Sequence, residues 1–322
     1  MFVLASEVII GQYIFKHIHE IEVNTSYETL TDTCFVTIPR KLSFQGKTIF
    51  LDKNPLFKKG DRVSVRVGYG FDNKKEVFSG FVTRIESGIP TKIVCEDLAC
   101  KLKETKAFNL SYEKLNIENL LKDIIPSGIN YKVSGKIELG KSTFTKVTAS
   151  QILKYLQDQF SVNAWFRGDI LYVGLNYFPE LQKEHTFNFQ DNIISDGLEF
   201  IKAEDVKISI KATSILPDNS KIEVTKGDSE GTERTIHFYN VSKASLEERA
   251  SKALNDFKFD GWQGSFTSFG PLDGGDPVRH GDVIKLIDDY YPEKSGKYIV
   301  KSVRLTFGTG GYRQEISLAN KI

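Results

Sequence analysis

The chain has 322 residues, of which 40% are apolar and 26% are charged, so we expect a folded protein of two or three domains rather than a disordered chain. Lysine and arginine total 43 and aspartate and glutamate total 42, a balance that argues against a generally basic nucleic-acid-binding protein. No apolar run approaches the roughly 20 residues that a membrane-spanning helix needs, so no membrane span is expected.

The N-terminal stretch and the cysteines bear on where the protein is made. The segment "MFVLASEVIIGQY" has no positively charged start and carries Glu7 inside its apolar part, so we expect no signal peptide. Cys34, Cys95 and Cys100 are an odd number of thiols in a long chain. Free buried thiols and synthesis in the bacterial cytoplasm are therefore the expectation.

Strand patterns dominate the first hundred residues. The stretches "CFVTIP", "DRVSVRVGY", "EVFSGFVTRIE" and "TKIVCED" follow one another between residues 34 and 97. Val63, Val65 and Val67 alternate with polar or small residues, which is the period of a half-buried strand. Short strands separated by Gly, Asn and Asp predict an antiparallel sheet that closes toward a barrel.

The middle of the chain has helical signals. The segment 116–125 predicts a short helix that ends before Pro126, and 148–160 predicts a longer one with a capping box between Thr148 and Gln151. The stretch 163–175 predicts a hairpin whose turn is Arg167-Gly168-Asp169. Residues 101–196 therefore read as a small α+β domain.

The β pattern returns near residue 197 and is interrupted by one helix. Ser245 and Glu248 predict its capping box. The apolar stripe of this helix consists of Leu246, Ala250, Leu254 and Phe257. The predicted fold class is β-rich α+β, with a first β-barrel domain at 1–100, an α+β domain at 101–196, and a second β-barrel domain with one inserted helix at 197–322.

One short element occurs twice. "FKKGDRVSVRVGYG" (57–70) contains Gly60-Asp61, and "VRHGDVIKLIDDYY" (278–291) contains Gly281-Asp282; each pair precedes strand-forming residues. We interpret these four residues as corresponding turns of a duplicated domain. The alternative is chance recurrence, because Gly-Asp before a strand is common turn chemistry.

Signatures of catalysis are weak in the sequence. It contains no H-E-x-x-H or G-x-G-x-x-G motif. Residues 135–142 (GKIELGKS) match the letters of the P-loop pattern and residues 227–231 (GDSEG) match G-x-S-x-G, but strand-like residues follow each match where both motifs require a helix. The H-x-H at His17 and His19 and the C-x₄-C at Cys95 and Cys100 lack the companion ligands of a zinc site. We therefore predict a protein that is not an enzyme, with no catalytic residues, no metal site and no cofactor.

Two longer segments resemble a known family. The residues "EVFSGFVTRIE…TKIVCEDLACKLKE" (76–104) and "GWQGSFTSFGPLDGGDPVRHGDVIKLID" (261–288) are similar to the phage tail hub family, which includes the late-control protein D group and the central hub of contractile tails. The resemblance implies a homotrimer that adapts a hexameric tail tube protein to a trimeric spike protein. It would lie at the tail tip of a virion or prophage, or in the baseplate of a related injection device.

The resemblance also explains why one chain would carry the same element twice. In that family two domains of each chain share a tube-protein-like β-barrel fold, so that three chains present six similar barrels to a six-fold tube. It implies an axial channel through which DNA or an effector passes without tight binding. Two alternatives remain: a cell-wall hydrolase with β-rich binding modules, and a carbohydrate-binding adhesin that uses Trp165, Trp262 and exposed tyrosines.

Overall fold

The computed structural model describes residues 3–44, 47–51, 56–135, 137–174, 178–218 and 220–322. An N-terminal β unit comprises the first nine strands. Their bounds are β1 Leu4–Ile10, β2 Tyr13–Phe15, β3 Glu20–Ser26, β4 Thr33–Ile38, β5 Lys41–Phe44, β6 Lys47–Phe50, β7 Arg62–Tyr69, β8 Lys75–Glu86 and β9 Thr91–Glu96. The alternation of Val63, Val65 and Val67 places all three side chains in the core, as the sequence pattern predicts.

A middle unit follows and packs three helices on short sheets. Its elements are α1 Ala99–Lys103, β10 Phe108–Tyr112, β11 Leu115–Asn116, α2 Ile117–Ile124, β12 Asn130–Ser134, β13 Glu138–Leu139, β14 Ser142–Val147, α3 Ala149–Phe160, β15 Asn163–Arg167 and β16 Ile170–Gly174. The capping box of Thr148 and Gln151 starts α3 as predicted. The predicted hairpin is β15–β16; the last residue of that predicted stretch, Leu175, lies outside the described residues.

The rest of the chain forms a C-terminal β unit with an inserted unit. The C-terminal β unit consists of β17 Glu184–Asn188, β18 Ile193–Ile201, β22 Gly261–Phe269, β23 Val283–Ile287, β24 Gly296–Gly308 and β25 Gly311–Lys321. The inserted unit consists of β19 Ile208–Ile215, β20 Lys221–Gly227, β21 Thr232–Tyr239 and α4 Lys243–Phe257. Single turns of 3₁₀ helix occur at Pro179–Leu181 and Pro292–Lys294.

The inserted unit contains more than the predicted helix. Strand β19 pairs with β20 and β21 in a separate three-stranded sheet, and the α4 stripe residues Leu246 and Ala250 pack on this sheet in a core of its own. The start of α4 also differs from the predicted capping box. Its N-cap is Ser242, whose side chain accepts a hydrogen bond from the backbone of Ser245, so the helix begins three residues earlier than predicted.

One large sheet connects the two β units. Among the described residues it has thirteen strands. Eleven follow the order β18-β22-β25-β24-β3-β4-β9-β8-β7-β1-β2; β23 pairs with β24, and β17 pairs with β23. Apart from the parallel pair β17–β23, its pairings are antiparallel. The β-rich α+β fold class predicted from sequence is confirmed.

The two β units meet where β24 pairs with β3, a contact that we call the seam. Seven residue pairs run from Ser302 opposite Ser26 to Gly308 opposite Glu20. The inward side chains of β24 at this seam, Leu305 and Phe307, belong to the core of the N-terminal β unit. The two units are therefore joined by a shared sheet and a shared core.

Candidate assembly surfaces

The first Gly-Asp turn ties the start of β7 to β8. The Gly60 amide donates to the Val82 carbonyl at 2.8 Å, the Asp61 amide donates to the Lys58 carbonyl at 3.2 Å, and the Val82 amide donates to the Asp61 carbonyl at 2.9 Å. The Asp61 carboxylate accepts a fourth bond from the Lys58 amide at 2.8 Å. Gly60 has a φ of +92°, which a residue without Cβ adopts without strain.

The second Gly-Asp turn makes the corresponding four hydrogen bonds. The Gly281 amide donates to the Val300 carbonyl at 2.8 Å, the Asp282 amide to the Arg279 carbonyl at 3.1 Å, and the Val300 amide to the Asp282 carbonyl at 2.9 Å. The Asp282 carboxylate accepts from the Arg279 amide at 2.9 Å. Gly281 has a φ of +83°, so the two turns agree in bonding and in backbone conformation.

The strands around the two turns have the same order. From β7 the sheet continues through β8, β9, β4 and β3, and from β23 it continues through β24, β25, β22 and β18. A β-bulge interrupts the hairpin register between Val82 and Arg84 in the first unit and between Val300 and Ser302 in the second. A bulge at the same place after the same turn is a detailed similarity, because bulges are specific features of a strand pair.

The second turn differs from the first in its surroundings. The Asp282 side chain is 1% exposed, and its carboxylate also lies 3.1 Å from His185 Nε2 and 3.8 Å from Arg167 Nη1. Burial lowers the pKa of Arg167, and the Asp282 charge opposes that effect. The charge on this aspartate therefore compensates a half-buried guanidinium, whereas no arginine lies beside the Asp61 carboxylate among the contacts described for the first turn.

A third turn, Arg167-Gly168-Asp169 between β15 and β16, bridges the two Gly-Asp turns. Asp169 accepts hydrogen bonds from Arg62, the residue after the first turn, at 3.3 Å. Arg167 Nη2 donates to the His280 carbonyl in the second turn at 2.5 Å. The sequence predicts this segment as a hairpin turn. Only the structure shows that its two charged residues connect the middle unit to both β units.

Two carboxyl groups lie close together near this junction. The Asp97 carboxylate accepts hydrogen bonds from the amides of Ala99 at 3.0 Å and Asp32 at 3.2 Å. Burial raises the pKa of Asp97 to about 7, and burial together with the Asp97 charge raises the pKa of Asp32 well above its usual range. Both residues line a small cavity between the units, and Arg167 and His280 line it as well. No sequence motif marks this pair, since the two residues come from distant loops.

The residues considered for other functions lie mainly in the interior. All three cysteines are free and buried, and burial raises the pKa of Cys95 to about 12. Trp165 is 4% exposed and packs against Tyr172 and Phe178, so it offers no surface for stacking on a sugar. Within the described ranges, no three His, Cys, Asp or Glu residues lie close enough to hold a metal ion.

The helices in the described part of the chain are short or polar. None of them combines the length and the apolar character that crossing a bilayer requires.

The chain is similar to known proteins in its structure. No family model and no curated protein sequence matches the chain. A tail protein from Neisseria meningitidis MC58 matches with a TM-score of 0.68 at 17% identity, over 99% of this chain and 96% of that one. The 43 kDa tail protein of prophage MuSo2 from Shewanella oneidensis matches with a TM-score of 0.63 at 16% identity, over 98% and 97%. The chain has the fold of phage tail proteins.

A third similar structure comes from a secretion system. The E. coli protein c3393 is described as a component of the type VI secretion system with structural similarity to the T4 bacteriophage tail proteins gp27 and gp5. It matches with a TM-score of 0.59 at 9% identity, over 97% of this chain and 74% of that one. These likenesses agree with the resemblance to the tail hub family that segments 76–104 and 261–288 carry.

Proposed function

We propose that this protein is the structural hub of a phage tail or of a related injection device. In this role it forms a homotrimer that joins a six-fold tail tube to a three-fold spike around an axial channel. The observation that carries the proposal is the double occurrence of one β arrangement in a chain whose fold is that of tail proteins.

The symmetry argument requires two similar surfaces per chain. A hexameric tube offers six equivalent positions, and a trimer meets all six only if each chain presents two corresponding units. The turns at Gly60-Asp61 and Gly281-Asp282, the matching strand order and the matching bulge support two such units. We therefore propose a tube-like unit at 1–100, an α+β middle unit, and a second tube-like unit that begins at β17 and so includes residues before the boundary at 197 expected from the sequence.

The middle unit has a mechanical role in this proposal. Its hairpin turn is hydrogen-bonded to Arg62 beside the first turn and to His280 in the second. A tail hub transmits load between tube and spike, and a unit that contacts both β units resists their relative rotation. The proposal places no chemistry at the junction, so the protein acts through shape and contacts rather than as an enzyme.

Assembly with partner proteins tests the proposal directly. Light scattering of the purified chain, alone and with the tube and spike proteins from the same tail gene cluster, measures the mass of each complex. A trimer that binds a hexameric tube ring at one end and a trimeric spike at the other is the expected result. A chain that stays monomeric at high concentration with both partners present contradicts the hub.

The alternative hypothesis, that the protein is a cell-wall hydrolase, has its own test. A zymogram on peptidoglycan detects cell-wall hydrolysis by the purified chain. The hub predicts no cleared band, whereas a cleared band that persists in highly purified protein supports a hydrolase with β-rich binding modules.

A further inference from the structure

The seam inside the chain shows how one β unit joins another. Strand β24 extends beyond the end of its neighbour β23, and the extended part pairs along the same side with β3. Leu305 of the extended part lies opposite Val23 and covers it, so Val23 is only 2% exposed. A long strand that continues past its neighbour thus provides the edge on which the next β unit docks.

The pairing of β24 with β3 can be transferred to the corresponding strands, which are β8 in the N-terminal β unit and β18 in the C-terminal β unit. The shared turns and bulge align β8 with β24 and β18 with β3, so that Val82 corresponds to Val300 and Leu198 corresponds to Val23. Strand β8 also continues past the end of β7, since the last pair between them joins Phe81 to Arg62. Each of the two edges that formed the seam therefore has a counterpart elsewhere in the chain.

The part of the chain that the structure describes leaves these counterpart edges uncovered. The first is the β8 edge, residues 84–86; the second is the β18 edge, residues 199–201. Within the described ranges, no strand pairs with the β8 edge on the β7 side or with the outer side of β18. Leu198 is half-buried although its counterpart Val23 is buried, as expected for a position whose covering strand is missing.

We propose that the β8 edge of one copy of this chain pairs antiparallel with the β18 edge of the next copy. Transfer of the seam register places Arg84 opposite Ile201, Ile85 opposite Phe200, and Glu86 opposite Glu199 of the next copy. The contact is head-to-tail, and three copies close a ring when each contact rotates the next copy by one third of a turn. This inference rests on the proposed hub and names the surfaces through which its subunits join.

The transferred register places Glu86 directly opposite Glu199, a like-charge pair that needs a cation on the same face to offset its repulsion. Arg84 Nη2 lies 2.5 Å from Glu86, so the guanidinium is on the same face of the sheet as Glu86. In the proposed pairing, Glu199 of the next copy lies on that face too, diagonally across from Arg84. One arginine would then sit between two glutamates. The seam also places an arginine near two glutamates, since Arg304 lies 2.8 Å from Glu22 and 3.9 Å from Glu315, although in the transferred register Arg304 corresponds to Glu86 rather than to Arg84.

The contact between copies is shorter than the seam. The β8–β9 hairpin turns after Glu86, whereas β24 continues to Gly308, so three residue pairs replace seven. Just beyond Glu86 the hairpin tip carries Ile89, which is 84% exposed. A short pairing with an apolar residue at its end predicts a ring that assembles in a concentration-dependent way and is stabilised further when partners bind.

Paired cysteines test the register. The double variant Glu86→Cys/Glu199→Cys places two thiols opposite each other across the contact, within the Cα separation of roughly 4.4–6.8 Å that a disulfide needs. The control Glu86→Cys/Asp196→Cys shifts one thiol by three residues, about 10 Å along the strand, where no bond can form. After mild oxidation, non-reducing electrophoresis should show covalent trimers for the first variant and a cross-linked fraction at least about tenfold lower for the control.

Single variants test the head-to-tail geometry. Glu86→Cys alone and Glu199→Cys alone should stay uncross-linked, whereas their mixture should give covalent dimers only. Equal cross-linking in the out-of-register control, or self-cross-linking of a single variant, overturns the pairing. Absence of cross-links in a sample that light scattering shows to be trimeric also overturns it while leaving the trimeric hub intact. A sample that is monomeric and shows no cross-links overturns the pairing. Light scattering with the tube and spike proteins then tests separately whether the protein is a hub.

Discussion

Leu305 of β24 lies directly opposite Val23 of β3, and both side chains are buried in the core of the N-terminal β unit. These residues are far apart in the sequence, and their contact makes the last long strand of the chain part of its first core. The two β units should therefore unfold together rather than independently, since separating them exposes apolar surface on both.

Truncation at the seam tests this coupling. We expect Leu305→Ala to lower the free energy of unfolding by about 2–5 kcal/mol, because it removes buried methyl groups and leaves a cavity between the units. The neighbouring change Thr306→Ala, on the opposite face of β24, is the control and should cost less than about 1 kcal/mol. Urea denaturation followed by circular dichroism measures both values; equal small effects would mean that the seam contributes little to stability.

The two Gly-Asp turns should differ in how much their carboxylates matter. Asp282→Ala leaves the half-buried Arg167 without its nearby carboxylate and the Arg279 amide without its acceptor, so we expect a loss of about 1.5–3 kcal/mol. Asp61→Ala loses the hydrogen bond from the Lys58 amide in a more exposed turn and should cost about 1 kcal/mol. Denaturant midpoints of the two variants, compared with the unmodified chain, check the order. A larger loss for Asp61→Ala contradicts the role assigned to Asp282.

Much of the local structure could be predicted from short-range chemistry. The helix at 148–160 follows from its capping box, and the turn between β15 and β16 follows from a glycine flanked by two strand patterns. The strand that contains Val63, Val65 and Val67 follows from alternation alone. In each case the residues that decide the structure lie within a few positions of one another.

The long-range features could not be predicted in this way. Pairing between β24 and β3 depends on which free edge lies nearby in three dimensions, and no residue pattern in either strand specifies the other. The three strands of the inserted unit have the same alternation as strands of the large sheet, so periodicity did not separate them. The sequence predicts the wrong N-cap for α4. Ser242 and Ser245 both offer a capping hydroxyl, and the spacing between Ser245 and Glu248 favours Ser245, whereas the N-cap is Ser242.

The carboxyl pair near the junction predicts a pH dependence of stability. Burial raises the pKa of Asp97 to about 7 in the folded protein, against roughly 3.9 in an unfolded chain. Between these two pH values the folded state binds more protons than the unfolded state. The stabilisation that comes from protonation of Asp97 is therefore fully present below about pH 4 and is lost as the pH rises through about 7. The Asp32 carboxyl, whose pKa is also raised by burial, acts in the same direction.

Substitution by the neutral amide should remove this dependence. We expect the free energy of unfolding of the unmodified protein to fall between pH 5 and pH 8 more steeply than that of Asp97→Asn. Asp32→Asn should flatten the profile in the same direction, because it removes a carboxyl group whose pKa is raised by burial and by the Asp97 charge. The comparison uses slopes, since each variant also alters a hydrogen bond to the backbone. Parallel profiles for all three proteins would contradict the raised pKa values.

The densest basic runs of the chain are accompanied by acidic residues in the fold. In "FKKGDR", Lys59 lies 2.9 Å from Glu104, and Arg62 contacts Asp169. In "DNKKEV", Lys75 lies 4.0 Å from Asp276. These exposed pairs add little stability, but they place negative charge where a phosphate would have to approach. The local charge at both runs is therefore closer to balance than the sequence runs suggest.

A channel that lets DNA pass should not hold it, which leads us to predict weak binding of duplex DNA. At about 0.15 M salt a mobility-shift titration should give a dissociation constant weaker than roughly 10⁻⁴ M, because few phosphates can displace the acidic partners of Lys59 and Arg62. The double variant Glu104→Lys/Asp169→Lys removes both acidic partners and should bind more tightly, with an affinity that falls steeply as salt is added. Micromolar, strongly salt-dependent binding by the unmodified protein would show a basic surface outside these runs, and it would favour a protein that handles DNA over one through which DNA passes.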